Sequence, residues 1–274
     1  GLNMSSAASL GIDDYEPLLL ALQDELGVVV PEIQRASLLE RVQVLLDVYD
    51  LDTFAALAER ISGDDEVKSQ LLDVISQRQS GWALSAPVIN ILHKYVLDQL
   101  PKNARVWVVG CGQGQMAYAL AMEIAQHEHA SGENKDIQII ATDHSAAAIE
   151  QAKKAMYTEH QLEALKDEYK NLYTAASNNG SDRKVRERIT KTLSFSQCSL
   201  KDDFSSLDMM DLIICPDVLV YYSNGVKASI LSRFAEQLKS GGIFLAGNNQ
   251  AVVPFSQDFE RVEHPAGIFY RKKS

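Results

Sequence analysis

The segment Val106–Gly114 limits the possible folds of this chain more than any other part of the sequence. Val106–Val109 is a continuous apolar run, which is typical of a strand buried on both faces of a parallel sheet. A Gly-x-Gly-x-Gly loop follows at Gly110–Gly114, and the helical pattern of Met116–Ala125 comes next. Glycines permit a tight turn and a close approach of the backbone to a ligand, and a helix N-terminus offers free N–H groups. The segment therefore predicts a ligand-binding strand–turn–helix, with a plain strand-to-helix turn as the alternative.

An acidic residue closes the next predicted strand. Ile137–Ala141 is a predicted strand, apolar except for Gln138, and leads into Thr142 and Asp143. A carboxylate at the carboxyl end of this strand is placed to accept hydrogen bonds from the ribose hydroxyls of a nucleotide-like ligand. The alternative role for Asp143 is to cap the helix that starts near Ser145, and the two roles are compatible. The glycine loop and the acid together predict an adenosine-containing ligand, without choosing between a nicotinamide cofactor and S-adenosylmethionine.

The type of predicted secondary structure changes at residues 101–104, where the chain reads Pro-Lys-Asn-Ala. Residues 11–100 carry the apolar spacing of five helices and show no strand pattern. Predicted strands and helices alternate after the break, and the later strands are Leu193–Phe195, Leu212–Cys215 and Ile243–Ala246. This alternation is typical of a mostly parallel, doubly wound sheet. We predict a small all-α domain over residues 1–100 and an α/β, Rossmann-like domain over residues 101–274.

The overall charge and the cysteines exclude several classes of function. The 274 residues carry a net charge of −11, which makes binding to nucleic acid or to an anionic membrane through the general field unfavourable. No apolar run reaches the ~18 residues that span a bilayer, and no basic and then apolar leader is visible at the start. The three cysteines form no C-x-x-C pair, which argues against a disulfide framework or a structural zinc site. These features predict a cytoplasmic protein with no metal.

The late part of the chain adds a further motif. Lys239–Leu245 reads Lys-Ser-Gly-Gly-Ile-Phe-Leu and follows Asp211–Asp217, and it resembles the late motifs of class I methyltransferases. The order of the domains also favours S-adenosylmethionine over a nicotinamide cofactor. A nicotinamide-binding Rossmann unit usually comes first and is followed by a substrate domain, whereas here a helical domain precedes the sheet. Together with Val106–Ala121 and Ala141–Asp143, these segments resemble the chemotaxis receptor methyltransferases (CheR type) in order and over nearly the whole chain.

The resemblance implies a class I methyltransferase domain behind a small helical domain, with a small β-subdomain around residues 174–197 that docks on receptors. It also implies S-adenosylmethionine as methyl donor, S-adenosylhomocysteine as product, and a protein acceptor such as the cytoplasmic domain of a chemoreceptor. Tyr221 matches the family's functional tyrosine, and a core aromatic at a strand end is its alternative. The implied cofactor-binding residues are Ser80, Gly110, Cys111, Gly112, Gly114, Gln115, Asp143, Ser199, Leu200, Pro216 and Asp217.

Several polar positions of the family are replaced in this chain. The family's arginine beside the cofactor and the acceptor falls on Leu84, and its acid after the glycine loop falls on Gln115. Arginine offers a planar fork that suits a carboxylate, and leucine cannot replace it. Arg78, one helical turn away, is a candidate substitute or a solvated surface residue. We therefore predict weak or altered activity toward receptor glutamates. The alternatives are an inactive relative that binds S-adenosylmethionine or S-adenosylhomocysteine or serves in docking, a methyltransferase with another acceptor and, more distantly, a nicotinamide oxidoreductase.

Three further features have two interpretations each. Trp82 lies in the segment that matches the family's cofactor-flanking motif, so it covers the ligand or seals an interface between the helical domain and the sheet. The basic stretch Arg183–Lys191 binds an acidic peptide or forms a solvated face. His127 and His129 are predicted to lie in a polar loop and to bind no metal. We also expect residues 11–100 to form one wall of the ligand cleft.

Overall fold

The computed structural model describes residues 14–76, 82, 84–178, 180–215, 219, 222–247 and 256–274. None of the helices in these ranges has both the length and the apolar composition required to cross a membrane. The chain divides into two compact units. One comprises the residues up to 78 together with 218–227, and the other comprises 79–217 and 228–274.

The first unit is helical where it is described. Its α-helices are α1 (Glu16–Leu26), α2 (Arg35–Val48), α3 (Phe54–Ile61) and α4 (Asp65–Ser76), and a single 3₁₀ turn at Glu32–Gln34 leads into α2. Side chains cap the starts of α3 and α4, because that of Thr53 accepts a hydrogen bond from the N–H of Ala56 and that of Asp64 accepts one from the N–H of Val67. Gly27 ends α1 in the left-handed conformation.

The second unit contains a seven-stranded sheet. Its strands lie in the order β6-β2-β1-β7-β8-β10-β9, and the first five of them run parallel. The strands are β1 (Arg105–Val109), β2 (Gln138–Asp143), β6 (Leu193–Gln197), β7 (Met210–Cys215), β8 (Leu238–Ala246), β9 (Phe259–His264) and β10 (Gly267–Lys272). The predicted, mostly parallel α/β fold is therefore confirmed. The sequence missed β9, which pairs with β10 as an antiparallel hairpin at the edge of the sheet.

The helices of this unit begin before the sheet does. They are α5 (Ala86–Ile91), a π-helical turn at Leu92–Val96, α6 (Leu97–Gln99), α7 (Gln115–Ser131), α8 (Ala146–Lys154), α9 (Glu159–Leu162), α10 (Asp167–Tyr173), α11 (Glu187–Thr190) and α12 (Asn224–Gln237), whose first residues belong to the helical unit. Ile91, Leu92 and Val96 lie in one hydrophobic core with strand residues such as Val108. For this reason residues 79–100 group with the sheet, whereas the predicted domain boundary follows residue 100.

A small antiparallel sheet of three strands stands beside the large one. Its order is β3 (Met156–Tyr157), β5 (Arg183–Val185) and β4 (Thr174–Ala176). The sequence predicted a β-subdomain around 174–197, and its last part differs, because Leu193–Gln197 pairs in parallel with β2 in the large sheet. Two short helices, α9 and α10, lie between β3 and β4, and α9 begins with a capping box between Thr158 and Gln161.

The histidine pair was assigned to the wrong element. His127 and His129 lie inside α7, which continues to Ser131 and ends at Gly132 in the left-handed conformation. The Nε2 atom of His127 lies 2.7 Å from a carboxylate oxygen of Asp98. The side chain of His127, which was predicted to lie in a polar loop, therefore connects α7 to the end of α6.

Candidate functional site

The glycine loop lies at the carboxyl end of β1, as the sequence predicts. Gly110, Gly112 and Gly114 have φ values of +73°, +55° and +101°, a region that residues with a Cβ rarely adopt. The N–H of Cys111 donates to the carbonyl oxygen of Thr142 at 2.9 Å, which ties the loop to the end of β2. The turn closes with a 3.0 Å hydrogen bond from the N–H of Gly114 to the carbonyl oxygen of Cys111.

Gly112 and Gly114 are glycines for different reasons. A Cβ on Gly114 would lie 2.8 Å from the Cβ of Ala152 and 3.0 Å from the hydroxyl oxygen of Tyr157, so the loop packs tightly here. A Cβ on Gly112 would meet no atom within 4 Å among the described residues. Gly114 therefore permits packing inside the protein, whereas Gly112 faces open space in which a ligand can approach the backbone.

Asp143 joins the glycine loop to the following helix. Its side chain is almost fully buried, with 1% of the residue exposed. One carboxylate oxygen accepts a hydrogen bond from the N–H of Gly112 at 3.1 Å, and the other accepts one from the N–H of Ser145 at 3.0 Å. Ser145 itself caps α8 through the N–H of Ala148. Asp143 therefore does not cap α8 directly, and it fixes the loop and the N-terminus of that helix to one another.

One buried tyrosine holds the glycine loop and a second holds α8 beside it, and sequence reasoning did not single them out. The hydroxyl of Tyr157 donates to the carbonyl oxygen of Gln113 at 2.7 Å, and the hydroxyl of Tyr118 donates to the carbonyl oxygen of Ala152, also at 2.7 Å. Burial raises the pKa of both phenols, so both remain donors at any ordinary pH. The only sequence signal for Tyr157 was its place in a segment similar to a "G-x-Y" motif.

Trp82 packs on this support. Its indole N–H donates to the carbonyl oxygen of Gln161 at 2.8 Å, and its ring meets that of Tyr157 edge to face, with centroids 4.8 Å apart. Trp82 is 3% exposed. It therefore seals the inside of the α/β unit next to the residue that holds the glycine loop. Leu84 is also buried in the apolar core of this unit.

Gln115 carries an unsatisfied donor at the same edge. It is the first residue of α7 and is 1% exposed. Its side-chain Nε2 is buried and has no hydrogen-bond partner among the described residues. A buried N–H group without a partner is costly, and native proteins pair such groups with water or with a ligand. The arrangement suits a hydrogen-bond acceptor on a bound molecule.

The loop after β6 reaches the same edge through Asp143. The N–H of Cys198 donates to the main-chain oxygen of Asp143 at 2.9 Å, which places Ser199 and Leu200 just beyond. Arg233 of α12 holds this loop, since its Nη2 donates to the carbonyl oxygen of Leu200 at 2.5 Å and its guanidinium lies 4.7 Å from the centre of the Phe204 ring. Sequence reasoning missed Arg233, because the carbonyl oxygens that it contacts have no sequence signature.

The structure thus brings together most of the predicted cofactor residues. Main-chain hydrogen bonds and the carboxylate of Asp143 connect the loops that hold them. The residues in question are Gly110, Cys111, Gly112, Gly114, Gln115, Asp143, Ser199 and Leu200. The predictions for Ser80, Pro216, Asp217, Tyr221 and Arg78 fall outside the described residues.

Comparison with known proteins agrees with this architecture. The model of the CheR methyltransferase, SAM-binding domain, matches residues 79–268. The chain is 27% identical over 269 residues to chemotaxis protein methyltransferase 1 of Pseudomonas aeruginosa, covering 95% of this chain and 98% of that protein. It is 26% identical to chemotaxis protein methyltransferase Cher2 of Pseudomonas putida, covering 97% and 100%. Among solved structures, it is similar to the plantazolicin methyltransferase BpumL in complex with SAH, with 17% identity, a TM-score of 0.38, and 77% and 61% of the two chains covered.

The match covers well over half of the chain, including β1, the glycine loop, β2 with Asp143, and the loop after β6. The family description names S-adenosylmethionine as the bound cofactor. The chain belongs to the CheR family of S-adenosylmethionine-dependent methyltransferases.

Proposed function

We propose that this chain transfers the methyl group of S-adenosylmethionine to a carboxylate of a protein, with a receptor-like glutamate as the acceptor. The observation that carries the proposal is the connection of the glycine loop, Asp143 and the loop after β6 at one edge of a sheet that matches the CheR domain. The relatives are named chemotaxis protein methyltransferases, which supports a receptor as partner. The absence of C-x-x-C pairs, which argues against a disulfide framework, supports a cytoplasmic location.

The residues present fit an adenosyl ligand. Gly112 leaves open space beside its backbone, and Gln115 holds an unpaired donor in a buried position. The carboxylate of Asp143 lies beside the backbone of Gly112 at the carboxyl end of β2, where an acid is placed to accept hydrogen bonds from ribose hydroxyls. We assign Asp143 to the ribose hydroxyls, Gln115 to an acceptor atom of the ligand, and Gly110–Gly114, Ser199 and Leu200 to the walls of the site.

The chain has little acid–base chemistry to perform in this reaction. A bound S-adenosylmethionine supplies a methyl group on a positively charged sulfur. A glutamate side chain is already ionised at neutral pH, so its oxygen attacks without help from a general base. The residues of the protein then act mainly by holding acceptor and methyl group in line. We keep Tyr221 as the proposed residue at the mouth of the site, and Ser80, Pro216 and Asp217 as further proposed contacts.

The replaced positions lead to a prediction about the acceptor. Leu84 is buried in the apolar core and offers no fork for a carboxylate, and Gln115 is neutral where the family has an acid. We expect transfer of labelled methyl groups to a chemoreceptor cytoplasmic domain to be at least tenfold slower than with chemotaxis protein methyltransferase 1 of Pseudomonas aeruginosa. Equal turnover would show that another group orients the acceptor. S-adenosylhomocysteine binding without any transfer would favour the inactive relative or another acceptor.

The two buried tyrosines give a matched test of the loop. Tyr157→Phe removes the hydrogen bond to the glycine loop, and Tyr118→Phe removes an equally short bond to Ala152 instead. Each hydrogen bond contributes about 0.5–1.5 kcal/mol, so we expect similar losses of thermal stability. Only Tyr157→Phe should weaken S-adenosylhomocysteine binding in isothermal titration, roughly two- to tenfold. If Tyr157→Phe binds S-adenosylhomocysteine no more weakly than Tyr118→Phe does, Tyr157 supports the fold and not the ligand.

The basic stretch Arg183–Lys191 is partly structural. Arg183 donates to the side chain and carbonyl oxygens of Thr174, and Arg188 donates to the carbonyl oxygen of Leu172. Lys184, Arg186 and Lys191 are exposed. We retain the small sheet as the proposed receptor-docking element, and an acidic peptide is the occupant that these exposed cations suit.

A further inference from the structure

An apolar stripe lies on the exposed face of α2. Ile33, in the turn before the helix, is 91% exposed, and Val44 and Val48 are 61% and 63% exposed. Val44 and Val48 are four residues apart and so are neighbours on one face, and Ile33 precedes Val44 by about three helical turns on the same side. Glu40 lies between them and is exposed. We call Ile33, Glu40, Val44 and Val48 the α2 stripe.

The helical unit does not need this stripe for its own core. The opposite face of α2 is buried and supplies the core residues Leu38, Leu39, Val42, Leu45 and Leu46. β-Branched side chains at exposed helical positions lower helix stability relative to alanine or lysine, because they lose side-chain freedom without gaining contacts. Single exposed apolar residues are ordinary, but Val44 and Val48 on one helix face, with Ile33 in the turn before the helix, form a surface that suits a partner.

The surroundings of the stripe are strongly negative. Residues 14–76 contain fourteen Asp and Glu against four Lys and Arg, a balance of −10 out of −11 for the whole chain. All four cations are engaged inside the unit. Arg35 and Arg41 donate to main-chain oxygens, Arg60 pairs with Asp64, and Lys68 pairs with Glu25. The stripe is therefore apolar with a carboxylate within it, in an excess of negative charge.

We propose that the α2 stripe docks a basic, amphipathic helical segment of a protein partner. Such a segment lays its apolar face on Val44 and Val48 and brings lysine or arginine to Glu40, in the way helices recognise apolar surfaces. Nucleic acid and anionic membranes are repelled by the charge of the unit. A second copy would bring the same negative surface against this one. Residues 1–13 contain no lysine or arginine, so they offer no complementary charge.

The test uses the full chain and a labelled 18-residue peptide of leucine and lysine in amphipathic helical order, with fluorescence anisotropy as the readout. Val44→Asn combined with Val48→Asn removes the apolar contact without changing the charge and should weaken binding at least tenfold, and Glu40→Lys should do so by a similar factor. Glu59→Lys is the matched control, because Glu59 is exposed on α3 and its replacement changes the net charge equally. We expect at most a twofold effect from that control. Circular dichroism checks that all variants remain folded.

Three outcomes would overturn the proposal. Equal effects of Glu40→Lys and Glu59→Lys would mean that the peptide senses only the general field. Unchanged binding by the double asparagine variant would exclude the apolar contact. Self-association of the wild type in sedimentation that disappears in this variant would identify a second copy as the occupant. S-adenosylhomocysteine affinity should remain unchanged in every variant, so this proposal stands or falls separately from the proposed methyl transfer.

Discussion

Replacing Gly114 with alanine should destabilise the protein by about 2–6 kcal/mol in urea denaturation, since backbone strain and overpacking each contribute about 1–3 kcal/mol. The new Cβ would lie 2.8 Å from the Cβ and 3.2 Å from the Cα of Ala152. Ala152 cannot retreat easily, because it belongs to α8 and its carbonyl oxygen accepts the hydroxyl of Tyr118. The φ of +101° at Gly114 adds strain that the available space does not relieve.

Gly112→Ala is the matched variant for this experiment. Its Cβ meets nothing within 4 Å of the described protein, so only the left-handed backbone is unfavourable, at about 1–2 kcal/mol. We expect this variant to stay folded and yet to bind S-adenosylhomocysteine at least tenfold more weakly, because its methyl group fills space that the ligand needs. Wild-type affinity in Gly112→Ala would exclude a close approach of the ligand at this residue. Equal loss of stability in both variants would contradict the packing argument for Gly114.

The sequence was informative about the local features of the site. A buried strand, a glycine loop and an acid after the next strand predict one ligand site that contains Gly110–Gly114 and Asp143, and a hydrogen bond between Gly112 and Asp143 joins these two parts of the chain. The strand, the glycine loop and the acid can each be recognised in a single sequence, because each pattern lies within a few consecutive residues. Parallel strands then bring their carboxyl ends to one edge by topology alone.

The hydrogen bonds that support the site from distant parts of the chain could not be predicted from the sequence. Trp82 and Gln161 are 79 positions apart, and Tyr157 and Gln113 are 44 positions apart. The spacing of residues within a helix or strand therefore predicts neither hydrogen bond. The main-chain oxygens that Tyr157 and Trp82 contact carry no residue identity either. The structure was therefore needed to show that Tyr157 holds the glycine loop and that Trp82 packs on the ring of Tyr157.

The domain boundary shows a different limit of sequence reasoning. The composition changes at residue 101, because strands begin there, and this makes 100 the natural end of a helical domain. Residues 79–100 instead group with the sheet, since the apolar side chains of α5 and the following π-helical turn enter its core. Composition reports the type of secondary structure, whereas the units are set by which apolar faces meet. A helix can therefore resemble its sequence neighbours and pack with a later sheet.

Asp143→Ala should weaken S-adenosylhomocysteine binding roughly 5- to 150-fold, which corresponds to about 1–3 kcal/mol for buried polar groups that lose a partner. The substitution leaves the N–H groups of Gly112 and Ser145 without their acceptor, so we expect the loop to lose its shape as well as the proposed contact with ribose. Asp143→Asn keeps one acceptor oxygen and should be intermediate. Asp64→Ala is the matched control, because it removes a carboxylate that accepts the N–H of Val67 in the helical unit. We expect that control to lose about 1 kcal/mol of stability and to keep wild-type affinity in isothermal titration. Unchanged affinity in Asp143→Ala would remove Asp143 from the ligand site and leave it the structural role of joining β2, the glycine loop and α8.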